Sequence, residues 1–141
     1  MKFWDSSAIV PILINEPNTS RTSSLLREDR ECWIWWASRT ECLSGLHRRA
    51  RAGGLSAEEL AIARRRLALF ERASATVLPA ESIRARADRL LGLHPLRAAD
   101  AFQLAAALVA AEETPENLPF VTLDERLIEA ARKEGFAVLP A

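Results

Sequence analysis

Cysteine is scarce in this sequence of 141 residues, which contains only Cys32 and Cys42. Two isolated cysteines can form neither a disulfide framework nor a zinc site, so we expect both to be reduced packing residues. Long apolar runs are also missing, because the longest, from 104 to 111, is far shorter than the roughly 18 residues that a membrane-spanning helix needs. We therefore expect a chain that does not cross a bilayer.

The beginning of the sequence has none of the features of a secretory signal. Asp5 stands where a signal peptide would be basic and then continuously apolar, and no small-residue cleavage site follows. We expect a cytoplasmic protein. With 49% apolar and 27% charged residues, the composition is typical of a globular chain, and its length fits one domain over residues 1–141.

Net charge is absent as well, because 19 lysines and arginines balance 19 aspartates and glutamates. The overall charge therefore does not indicate a nucleic-acid-binding protein. Its distribution is uneven, however: between residues 46 and 72, seven arginines against three glutamates leave a net charge of +4. Lysine is limited to Lys2 and Lys133, which fits either GC-rich codon usage or selection for guanidinium groups that match phosphates.

Short apolar segments alternate with segments of helical pattern. Strands are predicted at 2–4, 32–36, 75–79, 119–123 and 136–139, and helices at 8–15, 19–26, 38–52, 56–72, 81–93, 96–111 and 124–134. The tryptophan-rich segment 32–36 is predicted to be buried on both faces. Helices between strands predict an α/β fold of three layers, in which helices cover both faces of a central, mainly parallel sheet.

Two aspartates directly follow predicted strands. Asp5 follows the first strand and Asp124 follows or ends the fourth, so a parallel sheet brings both to one edge although they are 119 residues apart. Ligand sites of such sheets lie at this edge. Each aspartate also has a simpler explanation as a helix N-cap, because a helix follows in both cases.

Two further carboxylates have settings that need explanation. Glu41 lies at the start of a predicted helix, where it either serves a site or closes a capping box with Ser38. Asp100 shares a helical stripe with Leu104 and Leu108, which predicts a carboxylate among apolar side chains. Such a burial is costly unless the stripe opens to water or a cation lies nearby.

Carboxylates that converge repel one another and take up protons unless a cation lies between them. Oxygen ligands with no nearby histidine or cysteine cluster favour Mg²⁺ or Mn²⁺ over zinc. A site of this kind beside a basic surface indicates phosphodiester hydrolysis, in which the ion activates a water and offsets charge on the phosphate. The hydroxyls of Ser6 and Thr122 could orient ligands or water there, or could serve only local turns.

Taken in order, the acidic segments resemble the PIN-domain ribonucleases, and in particular the VapC-type toxins of bacterial toxin–antitoxin pairs. The segments are Asp5-Ser6-Ser7-Ala8, Thr40-Glu41, Leu96-Arg97-Ala98-Ala99-Asp100-Ala101 and Val121-Thr122-Leu123-Asp124-Glu125-Arg126-Leu127. The resemblance covers nearly the whole chain. No single segment is specific, and the ordered set carries the resemblance.

This resemblance implies a PIN-like α/β/α domain that cleaves RNA with Mg²⁺ or Mn²⁺. It implies that the metal is bound by Asp5, Glu41, Asp100 and Asp124, and that Thr122 supports the site. It also implies a small antitoxin as partner, and commonly a homodimer. Gln103 departs from the family, whose toxins often have a histidine there; because the position is not an acidic ligand, we expect an effect on the level of activity and not its loss.

The basic residues suggest where RNA would bind. We predict RNA contacts from Arg48, Arg49, Arg51 and Arg97, with a solvated basic face as the alternative. The consecutive arginines 64–66 spread around their helix, so they cannot all face one groove.

Functions of other classes also remain open. A non-catalytic binding module would use the acidic residues only as caps. A phospho-acceptor receiver domain needs an early acidic pair and a late lysine, whereas Lys133 lies near the end of a helix. A phosphatase of the haloacid-dehalogenase type needs a second aspartate where Ser7 stands.

Overall fold

Five parallel strands form one sheet in the order β3-β2-β1-β4-β5, in a computed structural model that describes residues 1–141. The strands are β1 (Lys2–Trp4), β2 (Cys32–Trp35), β3 (Ala75–Val77), β4 (Phe120–Val121) and β5 (Val138–Leu139). The helices are α1 (Ser6–Leu13), α2 (Thr19–Glu28), α3 (Ser38–Arg51), α4 (Ala57–Ala73), α5 (Glu81–Leu93), α6 (Ala98–Ala110) and α7 (Glu125–Lys133). The predicted α/β fold with a parallel sheet is confirmed.

Most elements lie where the sequence predicts them, and the differences are at their ends. Helix α1 begins at Ser6, before the predicted start, because the side chain of Asp5 caps it by accepting a hydrogen bond of 3.1 Å from the backbone N–H of Ser7. Trp36 lies beyond β2 and is 58% exposed. The prediction that the whole tryptophan-rich segment is buried was therefore wrong at Trp36, because the strand ends one residue earlier, at Trp35.

Two hydrophobic cores lie on opposite faces of the sheet. One core, formed with α5, α6 and α7, contains Phe3 and Phe120, whose rings stack at 5.4 Å between centroids. The other, formed with α1, α3 and α4, contains Trp4 and Val121. Successive residues of β1 and β4 thus face opposite cores. This is the three-layer arrangement predicted, with both faces of the central strands buried.

Helix α6 contributes more buried residues than any other helix. Its side chains from 103 to 108 are all buried, and four of its alanines, at positions 101, 105, 106 and 107, have no exposed surface. Small side chains let a helix approach its neighbours closely, and here these neighbours are α5 and the sheet. The first turn of α6 is thereby held firmly at the carboxyl edge of the sheet.

Both cysteines are free and buried, which confirms their prediction as reduced packing residues. Burial raises the pKa of the Cys32 thiol to about 11. None of the helices combines the length and the apolar character needed to cross a membrane.

Truncation of the α6 core tests this packing. We expect Leu104→Ala, at a side chain with no exposed surface, to lower the free energy of unfolding by about 2–5 kcal/mol, because it leaves a cavity. Leu93→Ala, at a side chain that is 60% exposed, is the matched control and should change it by less than about 0.5 kcal/mol. Urea denaturation measures both, and equal losses would contradict the placement of α6.

Candidate functional site

Four carboxylates lie where helices begin at the carboxyl edge of the sheet. Asp5 is the N-cap of α1 and Asp124 is the N-cap of α7. Glu41 lies in the first turn of α3, and Asp100 lies in the first turn of α6. Helix N-termini carry partial positive charge, so each of these positions favours an anionic side chain.

Asp5 is the most buried and the most firmly held of the four. It is 3% exposed, and its Oδ2 accepts hydrogen bonds from Ser7 N (3.1 Å), Ser7 Oγ (2.5 Å) and Thr122 Oγ1 (3.0 Å). Its Oδ1 accepts only a long bond of 3.4 Å from Ser6 Oγ. Thr122, on the neighbouring strand segment, therefore contacts Asp5 directly, whereas Ser6 contacts it weakly.

Ser7 is a site residue that the sequence analysis missed. Its hydroxyl bonds Asp5 and also accepts a hydrogen bond of 2.9 Å from the backbone N–H of Leu123, which joins the start of α1 to the segment after β4. A serine two residues after an aspartate N-cap was the available signal. Thr122 extends this network, since its Oγ1 accepts a hydrogen bond of 3.1 Å from the backbone N–H of Asp124.

Glu41 is oriented by the amide of Gln103. The buried Gln103 Nε2 donates to Glu41 Oε2 and also lies 3.0 Å from Ser38 Oγ. The alternative in which Glu41 closes a capping box with Ser38 is not realised, because Ala37 is the N-cap of α3 and no side chain caps that helix. Gln103 thus contacts a carboxylate of the site and acts on its position.

Asp100 and Asp124 each accept hydrogen bonds from backbone groups through one oxygen. Asp124 Oδ1 accepts from Arg126 N (2.9 Å) and Leu127 N (3.1 Å), and Asp100 Oδ2 accepts from Arg97 N (3.2 Å). Asp100 is half-buried at the start of α6. This end of the apolar stripe is therefore partly open to water, which is one of the two alternatives that the sequence left open for Asp100.

Three of the four carboxylates share one pattern of hydrogen bonds. In Asp100 and Asp124, one oxygen takes the bonds that orient the side chain and the other accepts none, and in Asp5 the second oxygen accepts only a long bond. Glu41 is oriented by Gln103 through Oε2, and Ser6 contributes a further hydrogen bond that lowers its pKa. The free oxygens are those that a ligand could use. Capping and ligand binding are therefore compatible in the same side chain.

Burial and mutual repulsion raise the pKa of three of these groups. Burial raises the pKa of Glu41 from 4.5 to about 7; the hydrogen bond from Gln103 lowers it, and the charges of Asp5 and Asp100 raise it further. Burial also raises the pKa of Asp5, against hydrogen bonds from Ser7 and Thr122, and Asp124 adds to the rise. The pKa of Asp100 is raised by burial and then by Asp124.

The chemistry of the donors fits a hard divalent cation. All four side chains offer carboxylate oxygens, and burial raises the pKa of the nearby Cys42 thiol far above its usual range, so no thiolate is available. A cation would also relieve the repulsion recorded in the raised pKa values. As the side chains stand, however, no three of them converge closely enough to hold one ion.

The predicted RNA-contacting arginines do not lie together. Arg97 is exposed and its charge lowers the pKa of neighbouring Asp100. Arg48 and Arg51 lie in the last turn of α3, about 10–15 Å along the helix axis from Glu41. Arg49 is engaged internally, because it pairs with Glu16 at 2.7 Å and donates to Gly45 O.

Comparison with known proteins gives matches that cover most of the chain. A family model described as PIN domain matches residues 2–133. Ribonuclease VapC45 of Mycobacterium tuberculosis (strain CDC 1551 / Oshkosh) is 31% identical over 139 residues, which are 99% of this chain and 94% of that protein. FitAcB from Neisseria gonorrhoeae has a similar structure, with a TM-score of 0.66 at 20% identity, over 98% of this chain and 96% of that one.

A toxin–antitoxin complex from Klebsiella pneumoniae also contains a similar chain. The TM-score is 0.62 at 14% identity, over 88% of this chain and 87% of that one. At such identities the two structural matches bear on the fold, and they agree with the parallel α/β/α arrangement described above.

The raised pKa of Glu41 predicts a pH dependence of stability in metal-free buffer. Because the pKa of Glu41 is higher in the folded state, the folded protein binds more protons than the unfolded chain does. The free energy of unfolding therefore falls as the pH rises from about 4.5 through about 7. We expect Glu41→Gln, which retains an acceptor for Gln103, to be about 1–3 kcal/mol more stable than the parent at pH 8 and similar to it at pH 4.

Urea denaturation in EDTA at the two pH values measures this difference. The matched control is Glu116→Gln, which removes an exposed carboxylate outside the site and should leave the pH dependence unchanged. A Glu41→Gln variant that is less stable than the parent at pH 8 would contradict the electrostatic account of the site.

Proposed function

The chain belongs to the PIN-domain family, and on that basis we propose that it is a cytoplasmic, VapC-type ribonuclease that hydrolyses phosphodiester bonds of RNA and acts as the toxin of a toxin–antitoxin pair. The observation that carries the proposal is the acidic site itself, in which four carboxylates lie at one sheet edge, each oriented by the protein and three of them with an oxygen left for a ligand. The full-length similarity to a ribonuclease supports RNA as the substrate.

Asp5, Glu41, Asp100 and Asp124 would hold Mg²⁺ or Mn²⁺. When bound, such an ion supplies a water that is acidic enough to act at neutral pH, and it offsets the charge that develops on the phosphate. Either ion suits a set of oxygen donors, so the donors do not discriminate between the two.

The chain's own residues position the acids and set the charge around them. Ser7 and Thr122 fix Asp5, and Gln103 fixes Glu41, so that both carboxylates are oriented before a substrate arrives. Arg97 and Arg126 carry positive charge beside Asp100 and lower its pKa. These two guanidinium groups are placed to meet a phosphate that approaches the site.

An antitoxin partner is the second part of the proposal. A cleft of about 370 Å³ between α1, α2 and α4 is mostly apolar and is lined by residues that include Ile12, Leu26, Leu69 and Phe70. It offers a surface on which a partner helix can pack. We propose that a basic side chain of the same partner reaches the carboxylates, and that the toxin is a homodimer, as the family resemblance implies.

The structure does not support the receiver-domain alternative, because the late lysine does not lie near the acidic residues. Lys133 lies in the last turn of α7, at the opposite end of that helix from Asp124, and pairs with Glu129 at 2.9 Å. It therefore cannot reach a phosphate at the acidic edge. The non-catalytic alternative is separated from the proposal by the experiment on the acidic residues.

Neutralising the acidic residues tests the catalytic proposal. We expect Asp100→Asn and Glu41→Gln each to lower kcat/KM for Mg²⁺-dependent RNA cleavage by at least about a hundredfold, because each removes a negative ligand from the site. The matched control is Asp88→Asn, at an exposed position on α5, which should cleave at the parental rate. Cleavage by Asp100→Asn at that rate would show that the site is assigned wrongly.

Expression in cells tests the toxin and its partner. We expect the chain alone to arrest growth, and co-expression of the proposed antitoxin to restore growth, because that partner covers the acidic site. The Asp100→Asn variant should not arrest growth, whereas Asp88→Asn should. If the Asp100→Asn variant arrested growth as strongly as the parent, the toxicity would not depend on the acidic site.

A further inference from the structure

A groove rich in arginine lies between α3 and α4. It has a volume of about 460 Å³, and we call it the arginine groove after four of its lining residues, Arg39, Arg64, Arg65 and Arg72. Glu71 is the one acidic residue in its wall, so the lining carries a net charge of +3, from four arginines and one glutamate. Leu67 in its wall is buried and Leu43 is half-buried.

The positive charge of the groove is largely uncompensated within the chain. Arg64, Arg65 and Arg72 are exposed and form no ion pair, and Arg39 reaches Glu71 only at 3.9 Å while its side chain is 61% exposed. Some arginines elsewhere pair more closely; Arg89, for example, lies 3.0 Å from Glu134, whereas Arg48 and Arg51 form no ion pair either. Four guanidinium groups on one groove without matched acids are suited to an anion.

The helix geometry separates the groove from the rest of the basic segment. Arg66 points away from it and donates a hydrogen bond of 3.0 Å to Leu13 O, while Arg64 and Arg65 line the groove. Arg64 and Arg72 are eight residues apart on α4, which is about 12 Å of helix axis. The groove is therefore long enough to hold more than one phosphate of an extended strand.

One end of the groove and one residue of the acidic site lie on the same turn of α3. Arg39, at its end on α3, lies in the same first turn as Glu41. Of its apolar residues, Leu67 is buried, Leu43 is half-buried and Ala68 is exposed, so the groove offers no large exposed apolar side chain to a partner helix, and its arginines favour a charged ligand. A strand of nucleic acid that enters the acidic site can thus continue along the start of α3 and over α4.

From this placement we propose that the arginine groove binds the phosphate backbone of the RNA substrate next to the cleavage site. The inference rests on the proposed ribonuclease function and deepens it. It replaces Arg48, Arg49 and Arg51 by Arg39, Arg64, Arg65 and Arg72 as the main phosphate contacts. An acidic surface of a second copy of this chain is the competing occupant, and the experiment distinguishes the two.

The test compares two double variants with equal loss of charge. Arg64→Gln/Arg65→Gln neutralises two exposed arginines in the groove, and the control Arg48→Gln/Arg51→Gln neutralises two exposed arginines outside it. Binding of a fluorescent single-stranded RNA of mixed sequence is followed by anisotropy in EDTA over a range of KCl concentrations. Cleavage of the same RNA with Mg²⁺ then gives kcat and KM separately.

We expect the groove variant to bind the RNA at least about tenfold more weakly at low salt. The slope of log K against log salt should be smaller by about 1.4, or about 0.7 for each lost phosphate contact on a single strand. Its KM should rise with kcat nearly unchanged, because the lost contacts hold ground state and transition state alike. The control variant should match the parent in all of these values.

Two results would overturn the inference while the ribonuclease proposal stands. One is a parent that cleaves RNA together with a groove variant whose slope and KM equal those of the parent. The other is a groove variant whose weaker binding is accompanied by loss of a dimer in light scattering, since the groove would then be a protein interface. A parent that neither binds nor cleaves RNA would instead overturn the proposed function, and the inference with it.

Discussion

Repulsion among four carboxylates is the constraint on which the site depends. Asp5, Glu41, Asp100 and Asp124 are close enough that the charge of one raises the pKa of another. The fold offsets part of this cost by placing each acid at a helix N-terminus and by donating hydrogen bonds to one of its oxygens. The compensation is incomplete, because the pKa of Glu41 still reaches about 7, raised first by burial and then by the charges of Asp5 and Asp100. The uncompensated charge is what a divalent cation would neutralise.

The order of the strands explains how acids far apart in sequence meet. Strand β1 lies at the centre of the sheet, and the chain extends the sheet first through β2 and β3 and later through β4 and β5. The connections therefore diverge at the carboxyl ends of β1 and β4, where open α/β sheets bind their ligands. Asp5 and Asp124 follow these two strands directly, while Glu41 and Asp100 come from the helices that pack on opposite faces of the sheet.

The sequence predicted the acids better than their partners, for a physical reason. The positions of Asp5 and Asp124 could be predicted locally, because a residue that follows a parallel strand lies at the carboxyl edge of the sheet. The bond from Gln103 to Glu41 depends on how α6 packs against the start of α3, and no local pattern encodes that distance. The same holds for the arginines. Their charge is evident from the sequence, but the internal contacts of Arg49 and Arg66 depend on tertiary packing and could not be predicted.

From the sequence, each acidic residue could serve either as a helix cap or as a ligand. In the structure, the capping hydrogen bonds orient the carboxylates so that they can also bind a ligand. A hydrogen bond to one oxygen fixes the side chain and leaves the other oxygen pointing elsewhere. The four acids differ in how firmly this is done, since Asp5 is held by three donors on Oδ2 and Asp100 by one backbone N–H. No three acids yet converge on one point. To bind one ion together, the half-buried side chains of Glu41, Asp100 and Asp124 would therefore have to move toward Asp5, whose side chain is the most firmly held.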